Sequence, residues 1–169
     1  MTFQGGHMFA QEITLNQFLL DYFEALIKDL PESGLEQQTA GKGHSALWLL
    51  GHLAISADFG RMMLGREIKS PKRWMLTFGP GSSDEISHPE KFDPRELIEA
   101  IRTGYPEVQQ QAVHADPAAM QEPHGVQILT GSKIVTKADC LAHILTTHLA
   151  GHLGQLSFWR RLQGEKPLF

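Results

Sequence analysis

His148 and His152 stand four residues apart in the run Thr147-His148-Leu149-Ala150-Gly151-His152-Leu153-Gly154-Gln155. On an α-helix, residues four apart lie on one face, about 6 Å along the axis from each other. Two imidazoles stacked in this way can bind one divalent metal ion. Burying them unpaired would cost free energy, and a single ion would satisfy both. Two histidines alone make a weak site, so a third ligand is expected from a facing helix. His52, in Trp48-Leu49-Leu50-Gly51-His52-Leu53-Ala54, is the candidate by phase, because it is the one histidine on the inward stripe of its segment. By spacing alone, the same pair is also compatible with a structural or exposed role.

The neighbouring residues narrow the chemistry. A zinc peptidase with this histidine spacing needs a Glu after the first His as general base, and here that position is Leu149. A peptidase of that type is therefore not expected. Asp58 and Glu67 are the carboxylates available on or near the second helix as a base, and no stripe favours either. His143 falls off the His148 stripe by about half a turn and is expected to face another helix or water. Cys140 lies about 12 Å along the axis from His148, too far to share its ion, and reads as a small core residue. His44 reads as a rim residue or a cap, and His88, His114 and His124 read as exposed. Gln155 reads as a contact to a ligand or water, or as a core-edge amide bonded to backbone.

The elements that must carry these residues follow from apolar periodicity and its punctuation. A first helix is expected from Thr14 to Leu30, with Leu15, Phe18, Leu19, Tyr22, Phe23 and Leu26 as its apolar face. A second runs from Ser45, a plausible N-cap, to Leu64, with His52 among Trp48, Leu49, Ile55 and Phe59. Residues 66–92 form a long connection containing Trp74 and Phe78, which are candidates to close a pocket over a metal or to pack as ordinary loop residues. A third helix starts at Asp93-Pro94, with Glu96 placed for a capping box and with Gly104 and Pro106 predicting a kink or break. A connection from Ala118 to Val135 could form a small hairpin around Gly131 and Ser132. The last helix runs from Lys137 to Gln163, with Thr136 and Asp139 as a capping box. This pattern predicts an all-α helical bundle.

Composition limits the alternatives. The chain has 169 residues, 41% of them hydrophobic and 20% charged, which suits one globular domain with a substantial core. The formal charge of -4 and the lack of a Lys/Arg cluster give no nucleic-acid footprint. No apolar run spans a bilayer, so no membrane role is expected, and no signal-peptide pattern opens the chain. The single Cys fits a reducing cytoplasm. Residues 1–7 read as an expression-tag remnant, leaving 8–169 as the domain.

The segments Ser45-Ala46-Leu47-Trp48-Leu49-Leu50-Gly51-His52-Leu53 and His148-Leu149-Ala150-Gly151-His152-Leu153-Gly154-Gln155-Leu156 resemble those of the DinB-like superfamily, as does the closing Phe158-Trp159-Arg160-Arg161-Leu162-Gln163-Gly164. The resemblance implies a four-helix bundle, up-down-down-up, with a long crossover between helices 2 and 3. It implies that His52, His148 and His152 together ligate a divalent ion, Zn²⁺ or Ni²⁺. It also implies a metal-dependent enzyme, a transferase or related type, that activates a low-molecular-weight thiol or water toward a small electrophile, and a homodimer. The alternative is a non-catalytic metal-binding or dimeric scaffold protein. One departure from the family pattern is that Gly151 precedes His152 and Leu153 follows it, which predicts a less polar surround for the ion.

Overall fold

The computed structural model describes residues 8–31, 33–38 and 43–168; the suspected tag remnant at residues 1–7 lies outside them. The described chain is helical, with no strand among these residues. Its elements are α1 (Ala10–Ile27), α2 (Ala46–Met63), α3 (Lys72–Phe78), α4 (Pro94–Ala112), α5 (Pro117–Met120), α6 (Lys137–His143) and α7 (Leu149–Leu162). A π-helical turn, Ile144–His148, joins α6 to α7. None of the described helices is long and apolar enough to cross a membrane.

α2 is the central element. It is apolar on nearly every side, and such a helix must be surrounded. It packs against α3, α4, α6, α7 and the π turn, and Leu49, Leu50, Leu53 and Ile55 are fully buried. Ser45 starts it by accepting a hydrogen bond from the Trp48 N–H at 3.1 Å, a cap worth about 1 kcal/mol. α4 can lie close against α2 because Gly104 has no side chain; a Cβ there would come within 2.7 Å of the Ala57 Cβ. α4 is capped by Asp93, whose carboxylate accepts from the Arg95 N–H at 2.9 Å. The helix runs unbroken through Pro106, so the expected break is absent.

An ion network with a buried Asp58–Arg61 pair at its centre ties α2 to α4 and to the connection that follows α2. The Asp58 carboxylate accepts from Arg61 at 2.6 Å and from the Lys69 and Ser70 N–H groups, each at 2.9 Å. Arg61 and Lys69 both donate to Glu107 at 2.8 Å. Burial alone would raise the Asp58 pKa, but the hydrogen bonds from Ser70, Lys69 and Arg61 outweigh it and hold the carboxyl below its ordinary value. This fixes the chain just before α3.

Three sequence expectations are corrected here. Residues 66–92 contain a helix, α3, and a short 3₁₀ turn at Pro89–Lys91, because Trp74 and Phe78, four apart, bury one face of a helical turn. Residues 118–135 form no hairpin. They contain a 3₁₀ turn at Gln127–Leu129, and one isolated bridge pairs Pro123 with Thr136. The inward face of α1 is rotated from expectation: Asn16 is fully buried, whereas Leu15 and Phe18 are 54% and 64% exposed. The Thr136–Asp139 capping box is formed as expected.

Candidate metal centre

The fold brings His52 from α2 together with His148 at the end of the π turn and His152 on α7. Their candidate ligand atoms all lie within 4.8 Å of one another. Ring centroids are separated by 5.1 Å for His52–His148, 4.6 Å for His52–His152 and 4.5 Å for His148–His152. The Nε2 atoms of His52 and His148 approach to 3.1 Å.

Two of the three rings are oriented by partners on the opposite nitrogen. His52 Nδ1 lies 2.6 Å from the Phe78 carbonyl, which can only accept, so Nδ1 carries the proton and Nε2 presents its lone pair to the cluster. His152 Nδ1 lies 2.8 Å from Gln155 Oε1, and with that oxygen as acceptor its Nε2 is likewise free. Gln155 thus serves its own helix's histidine, a role spacing did not separate from contact with a ligand or the backbone. His148 Nδ1 is buried without a hydrogen-bond partner. Burial, the largest cause, together with the charge of the neighbouring histidines, pushes the pKa of His52 down to about 4 and that of His148 to about 2. His152 is lowered for the same first reason, partly offset by Gln155. Three neutral imidazoles whose ring nitrogens converge are a donor set that suits Zn²⁺ or Ni²⁺.

The supports of this cluster begin in local sequence. Phe78 reaches His52 because residue 51 is glycine; a Cβ there would come within 2.3 Å of the Phe78 ring. The Trp48 ring lies nearly parallel to His52, 13° apart with centroids 4.6 Å apart, and His44 stacks on its other face at 3.6 Å. His44 is a rim residue that pairs with Asp84 at 2.7 Å. On the other side, the π turn is held by a buried amide. Asn16 Nδ2 donates to the Leu145 carbonyl at 2.6 Å, and Gln109 Nε2 donates to Asn16 Oδ1 at 2.6 Å. A wide turn leaves backbone groups to be satisfied from outside the helix, and Asn16 does this for Leu145.

The π turn also corrects the reading of His143. In an unbroken α-helix, five residues rotate the side chain about 140° away from its starting direction. The wider turn brings the His143 ring to 5.4 Å from that of His148, edge to face, with Nδ1 sharing a hydrogen bond with Thr147 Oγ1 at 2.7 Å. His124 is also half-buried, not exposed. It accepts from the Val126 N–H at 2.8 Å and bonds the Ile134 carbonyl at 3.1 Å, pinning the 118–135 connection. Trp74 and Phe78 do not line the cavity beside the histidines. Neither carboxylate expected as a base stands at the cluster: Asp58 is engaged in the ion network and Glu67 is exposed.

The sequence profile of the DinB superfamily matches residues 17–156, a span that includes all three histidines. The chain belongs to the DinB superfamily. No curated protein matches it.

Proposed function

We propose that this protein is a metal-dependent enzyme in which His52, His148 and His152 hold one divalent ion, Zn²⁺ or Ni²⁺. The observation that carries this reading is the convergence of three imidazoles, one buried and two half-buried, with His52 and His152 oriented by acceptors on Nδ1. A divalent ion held there would lower the pKa of a coordinated thiol or water and supply a nucleophile at neutral pH. Phe78 O and Gln155 Oε1 hold the ring protons of His52 and His152 on the side away from the cluster. The apolar surround keeps the rings neutral and limits access of water. The reaction class that fits is transfer of a low-molecular-weight thiol, or of water, to a small electrophile.

The setting completes the proposal. α1, α2, α4 and α6–α7 are taken as the four helices of an up-down-down-up bundle, with α3 in the long crossover. The chain is taken to work as a homodimer in the cytoplasm, with no nucleic-acid or membrane partner. A second reading, a non-catalytic metal-binding or scaffold protein, is favoured by one observation: among the described residues, no carboxylate lines the cavity beside the histidines to act as a base.

Metal analysis of untagged protein tests the site, since a nickel-affinity tag could load it falsely. About one equivalent of Zn²⁺ or Ni²⁺ is expected in the wild type, with loss in His52→Ala. No bound metal, and melting unchanged by added Zn²⁺ or Ni²⁺, would sink the metal reading. Thiol conjugation to electrophiles by the wild type and His148→Ala separates the two functions, and equal rates would favour the scaffold.

A further inference from the structure

Beside the histidine cluster lies a small cavity of about 70 Å³, open on one side. His52 and His148 border it, whereas His152 does not. Its walls come from different parts of the chain: Phe59 on α2, Cys140 on α6, Ile144 on the π turn, and Pro80, Val126 and Leu129 from the two long connections. No Asp, Glu, Lys or Arg lines it. The Cys140 thiol is buried and its pKa is raised to about 11, chiefly by burial, so it forms a neutral wall and not a competing nucleophile. The roof is braced, because His124 bonds both Val126 N–H and Ile134 O. At the mouth, Ile128 is 64% exposed and Met62, in an adjoining hollow, 43% exposed, so the apolar lining continues to the surface.

We propose that this cavity is the substrate subsite, and that it takes a small molecule whose uncharged short alkyl group sits among Phe59, Val126, Leu129 and Ile144 while its reacting end faces the His52–His148 side. For the reacting end this rests on the proposed metal centre; for the apolar group it rests on the cavity alone. The other polar groups of the wall, Ser56 Oγ and His143 Nδ1, are engaged with the His52 carbonyl and Thr147 Oγ1, so a carboxylate, phosphate or ammonium on that group would be desolvated without a charged side chain to pair with, which disfavours it. The selected substrates are therefore neutral, and the composition of the 118–135 connection sets how large their tails can be.

The test separates the two dependences. With Zn²⁺-loaded protein, calorimetry would measure binding of primary alkanethiols from ethanethiol to hexanethiol, beside cysteamine and 3-mercaptopropionate. With metal-free protein, the matching alcohols would be titrated and followed by methyl resonances of Val126, Leu129 and Ile144. The expected result is a Kd that falls about threefold to fourfold per added methylene until the cavity is full. The charged thiols should bind roughly tenfold or more weakly than neutral ones of similar length. Val126→Phe, which fills the cavity from a connection, should abolish the length dependence. Ile128→Asp, at an exposed position, should weaken the longer tails without a risk to folding. If Zn²⁺ does not bind but the alcohols still show the length dependence and lose it in Val126→Phe, the subsite stands and the metal reading fails. A Kd independent of tail length in both forms, or charged tails bound as tightly as neutral ones, would overturn the subsite.

Discussion

The three histidines are costly residues to bury, and that cost has a pH signature. In the unfolded chain their imidazoles titrate near about 6.5. In the folded, metal-free protein burial lowers His52 to about 4 and His148 to about 2. Between these values the unfolded state binds protons that the folded state refuses, so stability rises with pH through that window. The contribution is complete above about 6.5 and is lost progressively as pH falls toward 4. Thermal melts of metal-free protein should therefore show a falling Tm from pH 7 to pH 5, and the fall should shrink in a His52→Ala, His148→Ala double variant. A Tm independent of pH in that range would mean that the rings are solvated in solution. At this scale the sequence was informative: the spacing of His148 and His152 and the phase of His52 marked the residues that the fold brings together. The partners of their Nδ1 atoms were not legible, because Phe78 O is a backbone group from a distant segment.

Two elements position the site through features that sequence patterns under-read. The π turn shifts the phase of the last helix between His143 and His148, and periodicity assumes an unbroken α-helix, so the approach of His143 was missed. The available signal was Asn16, a polar residue at an inward position of α1, but the stronger apolar pattern of Leu15 and Phe18 pointed to the wrong face. Asn16→Leu would leave the Leu145 carbonyl and the Gln109 amide buried without their partner, at about 1–3 kcal/mol for each group left unsatisfied. It should also weaken Zn²⁺ binding about 10-fold to 100-fold by releasing the turn that ends in His148. Lost stability with unchanged affinity would show that Asn16 braces the core and not the site. The second element is α3, seated by Gly51. Gly51→Ala would force its Cβ into the Phe78 ring, costing roughly 1–3 kcal/mol by overpacking. Because the displaced residue also supplies the acceptor for His52 Nδ1, Zn²⁺ affinity should fall about 10-fold or more in isothermal titration. An unchanged affinity would argue that the ring can move without its carbonyl.

Across the whole molecule, the all-helical class and the starts of α2, α4 and α6 were legible because caps and apolar stripes are local signals. The supports of the site were not, because they join distant segments. The Asp58 network fixes the approach to α3, α3 delivers the Phe78 carbonyl, and α1 reaches across to hold the π turn. The same long-range contacts place an indole against a candidate ligand. Trp48 lies 4.6 Å from His52, stacked nearly parallel to it, whereas Trp74 and Trp159 are buried elsewhere. An ion with a partly filled d shell, such as Ni²⁺, drains the excited state of a nearby indole, and closed-shell Zn²⁺ lacks that route. Titration with Ni²⁺ should dim tryptophan emission saturably, Zn²⁺ should not, and Trp48→Phe should remove the loss. Equal quenching in Trp48→Phe would place the ion elsewhere. The stack beside His52 thus gives the unlabelled protein its own optical gauge, able to report both that the centre has filled and which kind of ion filled it.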